Sequence, residues 1–147
     1  MPATSNGCSV AKAFVAVRIR GSGVASVNVD YRWTSPHTIP SGFAKVCRDN
    51  GWDVKPTWQR LNNGREWMCS TSNDAYIYRN AADGYWWIDE PGGMGVFIAP
   101  ITSQEHEEEG NQRRLPPVTG WTPLAPNFLP LPQIEIVHGN EDCSSDV

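Results

Sequence analysis

From Ser26 to Trp33 polar and apolar residues alternate without a break. Val27, Val29, Tyr31 and Trp33 fall on one side, and Ser26, Asn28, Asp30 and Arg32 on the other. A period of two is the mark of a strand with one buried and one wet face. Upstream, the run from Val10 to Arg20 places Val15, Val17 and Ile19 on a common face, so it reads as a second strand. The glycine-rich loop Gly21-Ser22-Gly23 between them predicts a hairpin. Pro36 and Pro40 then break the pattern. A short helix follows over 42–50, with Ser41 as its N-cap and Phe43, Val46 and Cys47 on one stripe. Asn50-Gly51 ends it, and Trp52 is placed to fold back onto Val46 or Cys47. Residues 56–68 are open to two readings. One is a helical turn at Thr57–Leu61 ended by Gly64, followed by a strand over 65–69. The other is a strand that turns at Asn63-Gly64 and sets Arg60 across from Trp67. The first is preferred.

The stretch Ala75 to Ala99, AYIYRNAADGYWWIDEPGGMGVFIA, carries the densest strand signal. Tyr76–Tyr78, Tyr85–Ile88 and Val96–Ile98 are runs of aromatic and β-branched residues that suit a pleated surface. Asp83-Gly84 closes the first connection, and Glu90-Pro91-Gly92-Gly93 predicts a type II turn in the second. Thr102 to Arg114 has no periodicity and reads as a solvated acidic loop. Residues 115–133 hold six of the twelve prolines together with Leu115, Val118, Trp121, Leu124, Phe128, Leu129 and Leu131. That mixture predicts an extended strap laid across the sheet, with Trp121 as anchor. A last strand spans 134–137, and segments 1–9 and 138–147 read as loose tails. The expected fold is thus mainly β, a small α+β domain over 10–137. It comprises an antiparallel sheet with an N-terminal hairpin, a central three-stranded Trp/Tyr meander, one short helix and a Pro-rich strap.

Composition narrows the function classes. A chain of 147 residues with a formal net charge of −4 presents no basic surface inviting nucleic acid or anionic lipid. The 13 Gly and 12 Pro favour short strands and turns over long helices. No apolar run reaches the roughly 20 residues of a transmembrane helix, and the first residues lack a basic secretory n-region. An intracellular, soluble location is therefore the expectation. Cys8, Cys47, Cys69 and Cys143 form no CxxC or Cys/His cluster, so no metal or cofactor is expected. Buried thiols are preferred over a Cys47–Cys69 disulfide. His37, His106 and His138 sit in a proline loop, an acidic loop and a tail, with no nucleophile framed beside them. Asp89-Glu90 is the one carboxylate pair set among aromatics, yet neighbours on a strand point to opposite faces and cannot flank one bond. No catalytic residue is assigned.

The aromatic cluster is the candidate binding surface. Five of the chain's seven Trp and four Tyr lie between Tyr76 and Ile88. Trp86 and Trp87 are consecutive on one strand, so they face opposite ways. Both are core if the sheet is covered on both sides; otherwise one face is an aromatic platform. The candidate ligand-binding residues are Tyr76, Tyr78, Tyr85, Trp86, Trp87 and Trp121. The run YIYRNAADGYWWIDEPGGMGVFIA, a polar insert, then PPVTGWTPL and a closing Ile134-Glu135-Ile136-Val137 together resemble a Trp-rich β module. That module occurs in uncharacterised multidomain proteins of protists and marine invertebrates, and the resemblance spans roughly residues 43–137. It implies a fold unit and no particular reaction. The expected function is a non-enzymatic recognition module that offers its aromatic face to a protein or glycan. The alternative is a structural accessory subunit of a larger assembly that docks through its first hairpin, with an enzyme third.

Overall fold

The computed structural model describes residues 15–101 and 114–137. Eight strands form one curled antiparallel sheet, a half-barrel. They are β1 (Val17–Arg20), β2 (Asp30–Thr34), β3 (Trp67–Ser70), β4 (Tyr76–Asn80), β5 (Tyr85–Asp89), β6 (Gly95–Pro100), β7 (Thr122–Pro123) and β8 (Gln133–Ile136). Their order is β7-β6-β5-β4-β3-β2-β1-β8. Strands β1 to β6 run in sequence order, and the last two add one to each edge. The expected loose tails at 1–9 and 138–147 and nearly all of the acidic loop lie outside the described residues.

The nine residues between β7 and β8 connect opposite edges of the sheet. Fully extended, the ten steps from Pro123 to Gln133 reach about 35 Å, and a 3-10 turn at Pro126–Phe128, rising only about 2 Å per residue, cuts that to about 31 Å. Eight strands laid flat would set those edges about 34 Å apart. A sheet with this connection has to curl.

Register divides the side chains between two faces. Val17 pairs with Tyr31, Met68 with Ile77, Arg79 with Trp86 and Ile88 with Phe97. Val17, Ile19, Tyr31, Met68, Ile77, Trp86, Ile88, Phe97 and Ala99 build the larger core, which the buried Trp121 joins and Phe128 flanks. The Phe128 ring meets Phe97 edge-on at 6.4 Å, and the Trp121 indole donates to the Pro117 carbonyl at 2.9 Å. On the opposite face Trp67, Tyr76 and Tyr78 pack against Phe43, Cys47 and Trp58 from two helices, α1 (Ser41–Asp49) and α2 (Val54–Asn62). Trp58 is the hub, with Phe43, Trp67 and Tyr78 at 4.9, 5.6 and 5.5 Å between ring centroids. Its Nε1 donates to the Pro36 carbonyl, while Trp67 Nε1 donates to those of Ser35 and Thr38. Buried indoles need such partners.

Four sequence expectations change. There are two helices where one was expected. The helical turn preferred at Thr57–Leu61 extends back to Val54, so that Pro56 is the third residue of α2, inside the first turn, where an amide has no intrahelical acceptor to lose. Helix α1 begins at Ser41 itself, with Pro40 in the capping position. The first two strands are joined by nine residues, 21–29, and not by three. Asn28 closes that loop by accepting from the Ser22 amide and donating to the Ser22 carbonyl. A 3-10 turn at Ala25–Val27 then delivers Val27 to the core. At Glu90–Gly93 the left-handed residue is Gly93 (φ +99°), where a type II turn would need Gly92. Cys47 and Cys69 are free thiols.

Candidate functional site

Strand β5 hands its side chains alternately to the two faces. Trp86 is 1% exposed in the larger core, with the Arg79 guanidinium 5.6 Å above its ring. Tyr76 and Tyr78 are buried among the helix aromatics, and Trp121 is buried on the face opposite to them. Of the six aromatic candidates, Tyr85 and Trp87 alone keep solvent access: Tyr85 is 37% exposed and Trp87 half-buried. They lie on the helix-bearing face, toward the edge formed by β6 and β7.

The Trp87 indole is held from three sides. Its Nε1 donates to Asp83 Oδ2 at 2.9 Å, and the Tyr85 amide donates to Asp83 Oδ1 at 3.0 Å, so one carboxylate grips both aromatic residues. The ring lies over the bare Cα of Gly95, where a side chain would collide with it, and Leu124 closes in beside it. In register, Ile98 stands across from Trp87 and Pro100 across from Tyr85. Leu124 is 44% exposed. Tyr85, Trp87, Ile98, Pro100 and Leu124 therefore make an apolar ledge along β5 and β6, with Leu124 just after β7.

Below the ledge sits a carboxyl group that ordinary surface chemistry does not explain. Asp89 is buried, and burial pushes its pKa up to about 7, raised further by Glu90 and opposed by the nearby Tyr76 hydroxyl. Burial, with the Asp89 charge adding to it, drives the Tyr31, Tyr76 and Tyr78 hydroxyls far above the usual phenol range. The Tyr76 hydroxyl stands close enough to Asp89 to favour its ionised form. Even so, neither that hydroxyl nor Asp89 Oδ1 attains hydrogen-bonding geometry with another described residue. Asp89 is shut off from solvent beside Tyr76.

A second surface feature escaped the sequence reading. The α1–α2 connection and one flank of α2 enclose an open groove of about 540 Å³ lined by Trp52, Asp53, Pro56, Thr57, Arg60 and Leu61. Trp52 is 53% exposed and is not folded away beneath α1. Asp53, Pro56, Thr57, Arg60 and Leu61 recur at helical spacing, a signal that a helical turn confined to Thr57–Leu61 does not bring out. A smaller cavity of about 280 Å³ lies on the other flank of α2, between Pro36, His37, Ile39 and Lys55. Among the described residues no group of three or more His, Cys, Asp or Glu could hold a metal ion, and no helix is long and apolar enough to cross a membrane.

Taken together, the described residues form a mainly β protein, a curled antiparallel sheet with a buried aromatic cluster under two helices. Comparison of the chain with family models, curated proteins and solved structures finds no match.

Proposed function

We propose that this protein is a non-enzymatic recognition module whose ligand, a protein or a glycan, docks on the Trp87–Tyr85 ledge. The observation that carries this reading is the pinning of Trp87. Its ring is seated on Gly95 and tied through Nε1 to Asp83, yet stays partly open to solvent. An aromatic side chain already held rigid loses little conformational entropy on binding, and Trp is the residue type most enriched among interface anchors. Apolar neighbours at Ile98, Pro100 and Leu124 extend the contact area. The test is a glycan array and a peptide array, followed by fluorescence titration of the hits on wild type, Trp87→Ala and Tyr85→Ala. Removing the Trp87 anchor is expected to cost about 2 kcal/mol, roughly thirtyfold in Kd. Binding that ignores both substitutions, or no binding on either array, overturns the reading.

One observation favours an accessory-subunit role as a second reading. Leu129 and Leu131 are exposed beside the first hairpin, whose Gly23 amide donates to the Phe128 and Pro130 carbonyls at 3.0 Å. Partners recovered from the native source that release on Leu129→Ser and Leu131→Ser, but not on Tyr85→Ala, would favour this role.

A further inference from the structure

The groove on α2 is a separate surface from the ledge, and it has a chemical polarity of its own. At its start stands Asp53, the residue before the helix. Asp in that position ordinarily accepts from an amide of the first turn, but here its side chain makes no capping hydrogen bond. Seven residues on stands Arg60. Neither Asp53 nor Arg60 is ion-paired with another described residue. Between them the groove is lined by Pro56, Thr57 and Leu61, with Trp52 beside Asp53.

Trp52 is fixed by its backbone. Gly51 takes a left-handed conformation (φ +74°) and the Trp52 amide donates back to the Cys47 carbonyl at 2.8 Å, so the end of α1 presents the indole at the groove's acidic end. An indole beside a carboxylate suits a cation, which gains from both the ring quadrupole and the charge. The Arg60 guanidinium at the other end suits a carboxylate. Seven residues of helix rise about 10 Å, which an extended chain covers in about three residues.

We propose that this groove binds an extended peptide segment of a protein partner. The segment carries a basic residue at Trp52–Asp53 and an acidic residue two to four positions away at Arg60, with an apolar residue packed between them on Pro56 and Leu61. The dipole of the groove sets the direction of the bound segment.

Selection from a randomised peptide display library tests this. Wild type, Trp52→Ala and the charge-swapped double variant Asp53→Lys/Arg60→Glu serve as baits, with Tyr85→Ala as a ledge control. All four positions are exposed, and a thermal melt verifies that each bait is folded. Wild type and Tyr85→Ala are expected to enrich one consensus with a basic and an acidic residue two to four positions apart. A peptide from that consensus should bind Trp52→Ala and the charge swap at least tenfold more weakly, and the charge swap should select the reversed polarity. No consensus, a consensus without the charge pair, or the same peptides recovered by the charge swap would overturn the proposal. Loss of the consensus in Tyr85→Ala alone would assign the binding to the ledge instead.

Discussion

Asp89 shows how one residue can serve a fold and still burden it. Its carboxyl is taken out of water beside Tyr76, and burial holds its pKa at about 7 against an ordinary 3.8. The proton is therefore held more tightly in the folded chain than in the unfolded one. Below pH 4 both states are protonated and the residue is neutral in its effect. Between pH 4 and pH 7 the unfolded chain releases the proton first, so stability falls as pH rises and then levels off above pH 7. At 1.36 kcal/mol per pKa unit, urea denaturation should show stability dropping by about 2–3 kcal/mol from pH 5 to pH 8. Asp89→Asn, which mimics the protonated acid, should lose most of that slope and exceed wild type in stability at pH 8. A slope equal to that of wild type would place the titrating group elsewhere.

Helix α1 meets the sheet through glycine. A methyl on Gly93 would overlap the Gly42 carbonyl oxygen and Val46, and one on Gly42 would meet the Pro91 carbonyl. This backbone-to-backbone approach seats the helix start on the β5–β6 turn and so decides how much of the helix-bearing face is covered. Gly93→Ala combines a left-handed φ with that collision and should cost more than about 2 kcal/mol. Gly51→Ala also has a left-handed φ, but nothing lies within 4 Å of the added methyl. It should cost only about 1–2 kcal/mol. Equal losses in chemical denaturation would mean that helix docking, as distinct from local conformation, contributes nothing at Gly93.

Across the whole molecule, the chain joins its two sheet edges with the segment that follows Trp121. Buried Trp121, with Phe128 on Phe97, covers the larger core, while the Gly23 amide binds the same segment to the first loop. Trp121→Ala should lower stability by about 3–5 kcal/mol and make residues 124–132 a site of early proteolysis. An unchanged melting temperature and intact 124–132 would mean that this segment is carried by the sheet without closing it. The ledge depends on this closure, because Leu124 belongs to the closing segment and borders Trp87.

Much of the architecture was legible in local pattern. Alternation at Asp30–Trp33, the aromatic runs at Tyr76–Ile98 and the helical stripe at Phe43–Cys47 are short-range signals, and each reports a periodicity that the backbone itself imposes. The same logic showed that Trp86 and Trp87 must face opposite ways. It did not show which of them would meet water. That outcome turned on where distant segments docked: Trp121 and Phe128 against the face holding Trp86, and the helices against only part of the face holding Trp87. Residues 56–68 are legible as a helical turn or as a strand, and the packing of Trp58 under Phe43 and Tyr78 selects the helix. The Asp89 pKa is likewise unreadable from Ile88-Asp89-Glu90, because desolvation is set by the whole packed layer above it. Periodicity belongs to the chain, whereas burial belongs to pairs of surfaces that the chain brings together only when it folds.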